Sequence, residues 1–187
     1  MVVRASLTLA LLLAFSSAGA FDADAALWAA LESGGHVALM RHALAPGTGD
    51  PNNFRIDDCA TQRNLSEAGR QQARAIGARF RERGIKNVVL FSSLWCRCLE
   101  TARLLDIGEV RPFPGLNSFF RDNNQEAARS AAVRKLINEH AKGPSLMLVT
   151  HQGNITALTG VFPQSGEIVV LRLDGDKLIV LGSISER

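Results

Sequence analysis

The chain has 187 residues, a formal net charge of +3, and 47% hydrophobic against 21% charged residues. That length suits one domain with a proper core, and no internal repeat, low-complexity tract or linker divides it. The basic residues are few and dispersed, so composition marks neither a nucleic-acid binder nor a protein held to anionic membranes.

Arg4, the apolar run Leu7 to Phe15 and the small residues Ala18-Gly19-Ala20 read as a secretory signal cleaved after Ala20. The apolar core Ala5 to Ala14 falls short of the ~20 residues that cross a bilayer, and no basic stop-transfer flank follows it, so no stable membrane anchor is expected. The expected product is a single domain over 21–187, periplasmic or secreted. In such a compartment the three cysteines, Cys59, Cys96 and Cys98, form at most one internal disulfide. Cys59 is one partner, because Cys96 and Cys98 are only two apart; spacing leaves either as its mate. Their spacing is not that of a zinc knuckle, and an oxidising compartment disfavours free thiolates, so no metal is expected.

Apolar runs then alternate with segments of helical period. This pattern predicts an α/β fold, a three-layer sandwich with a mostly parallel sheet, helices on both faces and an antiparallel C-terminal edge hairpin. A short helix from about Ala23 to Leu31 stops at Gly34-Gly35, and a strand runs from His36 to Arg41-His42. A polar loop, Ala45 to Asn64, follows; loops that long are more often functional than idle. Ser66 N-caps a helix to about Arg83 whose inward stripe is Gly69, Ala73, Ile76 and Phe80, with Arg70, Arg74 and Arg81 outward.

A second strand, Asn87 to Ser93, leads into a helix carrying Arg97, Thr101 and Leu105, then an extended segment Val110 to Leu116. A helix from about Gln125 to Lys142 places Ala128, Ala132 and Leu136 on one side, and Gly143-Pro144 closes it. The strand Ser145 to His151 precedes a short helix ending near Gly160. Two β-rich runs, Glu167 to Leu173 and Lys177 to Ile184, flank the hairpin signal Asp174-Gly175-Asp176.

Three of these strands end on basic or imidazole groups. If they are parallel neighbours, Arg41, His42, Arg97 and His151 meet at the carboxyl edge of the sheet, where open α/β sheets bind ligands. Strand alternation would send Arg41 and His42 to opposite faces, so both must lie at or past the strand end. Arginine offers a planar, permanently charged fork to phosphoryl oxygens. A histidine between arginines is held neutral and fit to attack phosphorus, which nominates His42; His151 would donate to the transferring group. Arg97, in the first turn of its helix, would act where backbone N–H groups also aim at an anion. Arg63 either approaches the ligand or forms a structural ion pair. His36 and His140 are read as structural, and Trp28 and Trp95 as packing residues rather than sugar platforms, with Trp95 close to the site.

Leu39-Met-Arg41-His42, Arg63-Asn64-Leu65-Ser66-Glu67-Ala-Gly69, Ser92-Ser93-x-x-x-Arg97-x-x-x-Thr101-Ala102 and Val149-Thr150-His151-x-Gly153-Asn154 follow one another over Val37 to Ile155. Together they resemble the histidine phosphatase (phosphoglycerate-mutase-like) superfamily, and the chain is similar to its small exported bacterial branch, which includes phosphatases of lipopolysaccharide-core sugar phosphates. The resemblance implies a phosphohistidine on His42, a pocket of Arg41, Arg97 and His151, a small phosphorylated substrate, and no metal or cofactor. The chain departs from the pattern at Ala43, where glycine is usual, at Gln152, and at Ser118, which stands where the acid-donating glutamate is expected. Asp122, four residues on, is the replacement acid candidate. The expected function is metal-independent phosphomonoester hydrolysis. The alternatives are a non-catalytic phosphate-binding module and a phosphomutase, though the chain is short for the water-excluding lid a mutase needs. Oligomeric state is silent.

Overall fold

A computed structural model describes residues 18–185. The expected signal segment lies outside the described residues up to position 17. The first helix, α1, spans Ala18–Ser33, longer at both ends than its apolar stripe predicts. No helix of the described residues is long and apolar enough to cross a membrane.

Six strands form one sheet: β1 (His36–Arg41), β2 (Val88–Ser92), β3 (Val110–Pro112), β4 (Ser145–Thr150), β5 (Ile168–Asp174) and β6 (Lys177–Ile184), in the order β3-β2-β4-β1-β5-β6. The first four are mutually parallel, and β5 and β6 add antiparallel at one edge. The expected α/β sandwich with its antiparallel edge pair is what forms. The extended run after the arginine helix is shorter than expected: β3 has three residues, and Pro114–Leu116 turn as a 3-10 helix. Proline brings no N–H to a ladder and pre-sets the φ of a turn, which ends the strand there.

Strand alternation divides the core. Ala38, Met40, Leu90, Met147, Val149, Ile168 and Val170 face one side, against α1, α2 (Glu67–Glu82) and α3 (Cys96–Leu105). Val37, Leu39, Leu146, Leu148, Val169 and Leu171 face the other, against α4 (Glu126–Glu139) and α5 (Gln152–Thr159). Every residue of β4 is buried, as its unbroken apolar run requires for a central parallel strand. A fully buried leucine or phenylalanine in these layers contributes about 1.5–3 kcal/mol.

Ser66 caps α2 by accepting from the Gly69 N–H, and the expected stripe Gly69, Ala73, Ile76 and Phe80 is buried. Gly69 is needed for proximity: a Cβ there would stand 2.1 Å from the Leu44 carbonyl oxygen, in the segment that follows β1. The expected inward side of α4 is corrected. Val133, Leu136 and Ile137 are buried, whereas Ala128 is exposed, because a run of alanines carries little periodic signal and the larger side chains decide which face packs.

Candidate active site

The register of the central strands builds the site. Arg41 of β1 pairs with Thr150 of β4, and Ser92 of β2 with Val149, so one further step brings His42, Ser93 and His151 to the same edge. Backbone bonds extend the ladders to hold them, His42 N–H to Thr150 O at 2.9 Å and Ser93 N–H to Val149 O at 2.9 Å. The imidazoles of His42 and His151 meet edge-to-face with centroids 5.5 Å apart.

Arg97 comes from α3 and lies between them. Its Nε–H points at His42 Nε2 (3.2 Å), and Nη2 stands 3.4 Å from His151 Nδ1. The side chains of His42, Arg97 and His151 are almost wholly buried. Thr101, one turn along, ties this helix to the segment that carries His42: its hydroxyl donates to Arg97 O and accepts from the Ala43 N–H. Thr101 thereby acquires a physical reason for its place in the motif.

Hydrogen bonding sets the tautomer of His42. Nδ1 lies 2.8 Å from the Ala43 carbonyl, which can only accept, so Nδ1 carries the proton and the Nε2 lone pair faces the cavity. Burial first, then the charge of Arg97, pushes the His42 pKa down to about 3 despite the opposing Ala43 bond. His151 is held well below its ordinary value, by burial and then by His42 and Arg97. His42 Nε2 is therefore unprotonated at neutral pH.

A cavity of about 590 Å³ opens over these groups. Arg41, His42, Arg97 and His151 all line it, as does Asp122. The long polar loop contributes walls through Gly47 to Asp50 and Phe54, and the segment between the two later 3-10 turns through Ser118 to Asn123. Five arginines line the cavity against two aspartates, so with both imidazoles neutral the wall is cationic and suited to an anionic ligand.

Residues 37–119 match the model of the histidine phosphatase superfamily (branch 1). Over that stretch, which is less than half of the chain and holds Arg41, His42 and Arg97, the chain is similar to that superfamily. No curated protein sequence matches it. Among solved structures it is similar to the protein histidine phosphatase SixA complexed with tungstate (18% identity, TM-score 0.57, covering 80% of this chain and 96% of that one). It is also similar to the putative phosphohistidine phosphatase SixA from Agrobacterium tumefaciens (22%, 0.57, 81% and 98%). A third is the mycobacterial glucosyl-3-phosphoglycerate phosphatase Rv2419c, in complexes with VO3 (18%, 0.58, 78% and 96%). At these identities the likeness is one of fold.

Several features of this site were not legible in the sequence. Asp50 was missed altogether. Its carboxylate meets Arg97 Nη1 at 2.7 Å and Nη2 at 3.3 Å, with the two side chains 8% and 3% exposed, and also accepts from the Arg63 N–H and the Trp95 indole. Burial alone would raise the Asp50 pKa, but the hydrogen bonds from Arg97 and the Arg63 N–H outweigh it and hold the carboxyl ionised. Removing one partner of such a buried pair typically costs about 3–5 kcal/mol. A Gly-Asp-Pro triplet in a long loop reads only as a turn, which hid this role.

Among the described residues Arg63 forms no ion pair; its guanidinium donates to the Gly49 carbonyl at 2.7 Å and to that of Ala45, bracing the loop. Arg41 Nη1 donates to Pro163 O at 2.9 Å, while its Nε is buried without an acceptor. Around the start of α3 the N–H groups of Leu94, Trp95 and Cys96 are taken by Asn117 Oδ1, Ser93 Oγ and Gln62 Oε1, and that of Cys98 by Trp95 O, so none of these four is turned to an anion.

Cys59 pairs with Cys96, next to Arg97 in the chain, and Cys98 is a free, buried thiol. The disulfide fastens the 45–64 loop to the helix that presents Arg97. Trp95 stacks on Phe54 with centroids 5.0 Å apart, and Trp28 packs in the core against Phe80. His36 and His140 bond to nearby backbone carbonyls away from the cavity. Asp122 is exposed, and its carboxylate accepts from the Asn124 N–H and from Gln125 Nε2. Ser118 also lines the cavity. Among the described residues no group of three or more His, Cys, Asp or Glu side chains could hold a metal ion.

Proposed function

We propose that this protein is an exported phosphomonoester hydrolase that works through a phosphohistidine on His42 Nε2. One observation carries the reading: the Nδ1 proton of His42 is bound to Ala43 O, which leaves an unprotonated Nε2 facing a cationic cavity beside the Arg97 fork. In the first step Nε2 forms a bond to phosphorus while the ester P–O bond breaks, the electron pair leaving with the alcohol oxygen. A proton reaches that oxygen from Asp122, the acid candidate lining the cavity, or from water. In the second step water attacks phosphorus, its proton passing to the Asp122 carboxylate or to solvent, and the P–N bond breaks. The pair returns to Nε2, and phosphate departs. Arg41 and Arg97 offset the charge on the phosphoryl oxygens; His151, neutral in the free site, takes a proton on Nδ1 as the anion binds and then donates it to a phosphoryl oxygen.

The cavity is larger than one phosphate needs, and Phe54, Trp95, Phe119 and Phe120 line it, so the leaving group is a sizeable organic moiety. Export is supported by the Cys59–Cys96 disulfide, which persists in oxidising compartments. N-terminal sequencing of the mature protein is expected to begin at Phe21.

The deciding experiment is turnover of an aryl phosphate by the wild-type protein and by His42→Ala, with rapid quenching to trap an acid-labile phosphoenzyme. Turnover and phosphoenzyme in the wild type alone are expected. Ser118, a non-acidic residue on the wall where the superfamily pattern places glutamate, favours a second reading as a phosphate-binding module. Intact phosphate binding without turnover in the wild type would establish that reading instead.

A further inference from the structure

Arg97 has five N–H donors, and each points at an acceptor. The guanidinium carries two bidentate edges. The side-on edge, Nε and one Nη2 hydrogen, faces His42 Nε2 at 3.2 Å and His151 Nδ1 at 3.4 Å. The end-on edge, formed by Nη1 and Nη2, holds the Asp50 carboxylate at 2.7 and 3.3 Å, and the remaining Nη1 hydrogen reaches Arg63 O at 3.3 Å.

We infer that Asp50 is a positioning residue: by gripping the end-on edge of Arg97 it keeps the side-on edge aimed at the gap between the two imidazoles, where a phosphoryl group is transferred. This rests on the proposed phosphoryl chemistry at His42. The competing role would be a gate, in which the carboxylate occupies the phosphate's place and must leave before substrate enters. Geometry separates the two. Asp50 takes the edge turned away from the imidazoles, and a phosphoryl group between them exchanges only the two long contacts to His42 and His151.

Asp50 is also held from every side. The Arg63 N–H donates to Oδ1 at 3.0 Å and the Trp95 indole to Oδ2 at 3.0 Å, while Arg121 donates to the Asp50 and Pro51 carbonyls. Trp95 is in turn stacked on Phe54 of the same loop. A carboxylate so fastened is built to stay in place through turnover. Its negative charge also offsets one positive charge of a crowded cationic site, so that Arg97 is not drawn end-on to incoming anions.

The test is Asp50→Asn in the full chain, with kcat and KM for an aryl phosphate and inhibition by orthovanadate, which adopts the trigonal-bipyramidal geometry of the transfer. Positioning predicts that kcat falls about 10- to 100-fold, that KM changes less than about threefold, and that vanadate inhibition weakens in step with kcat. Unchanged kcat with a lower melting temperature would mark a purely structural residue and overturn the proposal. Tighter phosphate and vanadate binding with undiminished kcat would mark a gate and overturn it equally.

Should Asp50→Asn fail to fold, Trp95→Phe removes one donor to Asp50 while keeping the stack on Phe54; kcat is expected to fall about threefold to tenfold with KM little changed, and no change counts against the proposal. Absence of turnover in the wild type refutes the hydrolase reading separately. Vanadate binding measured by titration then decides Asp50's part: at least about tenfold weaker binding in Asp50→Asn sustains it, and equal or tighter binding, or none in the wild type, ends it.

Discussion

Ser93 Oγ lies 3.0 Å from His151 Nε2, and the direction of this bond sets which nitrogen of His151 faces the site. The Ser93 hydroxyl has one proton, which it donates to Asn117 Oδ1. It therefore accepts from Nε2–H, leaving Nδ1 turned toward Arg97. Ser93→Ala releases the ring from that arrangement. The expected result is about a tenfold loss of kcat with KM nearly constant, the size of one hydrogen bond to a group that gains charge in the reaction. Steady-state kinetics check it, and an undiminished kcat would mean the tautomer of His151 has no part in turnover.

The Cys59–Cys96 disulfide closes a loop with a sequence separation of 37. Chain-entropy reasoning gives it about 3–4 kcal/mol of stability. Reduction, or Cys59→Ser, is expected to lower the denaturant midpoint accordingly and to raise KM, because the released loop supplies Asp50 and Phe54 to the cavity wall. Equal midpoints with and without reductant would contradict this.

Stability is expected to fall in acid. His42 has a folded pKa near 3 against an ordinary 6.5, and His151 is shifted in the same direction. Between those pH values the unfolded chain binds protons that the native site refuses, so stability rises with pH, by up to about 1.4 kcal/mol per unit for each histidine, and levels off above pH 7. Asp50, depressed by Arg97, adds to the loss at the acid end. Urea denaturation from pH 4 to pH 8 measures the slope, and His42→Asn is expected to flatten it by up to about half. A variant slope as steep as the wild type would refute the assignment.

Asp122→Asn separates leaving groups. If Asp122 protonates the alcohol, turnover of an alkyl phosphate drops about 10²-fold or more, while an aryl phosphate with an acidic phenol is nearly unaffected. Equal alkyl-phosphate rates in variant and wild type would leave Asp122 only as the residue that caps the turn at Asn123–Gln125.

Incubation with a chelator is expected to leave kcat unchanged, since every proposed step is assigned to a side chain or water. Loss of activity, restored by a divalent cation, would overturn the mechanism.

Local pattern alone was enough to place most of the strands, the buried stripe of α2, the terminal hairpin and the two arginines and two histidines at or just beyond strand ends, because side-chain periodicity and turn chemistry act over a few residues. The order of the sheet was decided in three dimensions: β4, late in the chain, inserts between β1 and β2, and only that pairing puts His151 beside His42. Asp50 on Arg97, Cys96 as the mate of Cys59, and the capture of the Cys96 and Leu94 N–H groups by Gln62 and Asn117 likewise join distant segments. No short-range rule encodes such contacts. They exist because burying two sheet faces brings the loops together over one carboxyl edge, where each donor and charge must find a partner out of water.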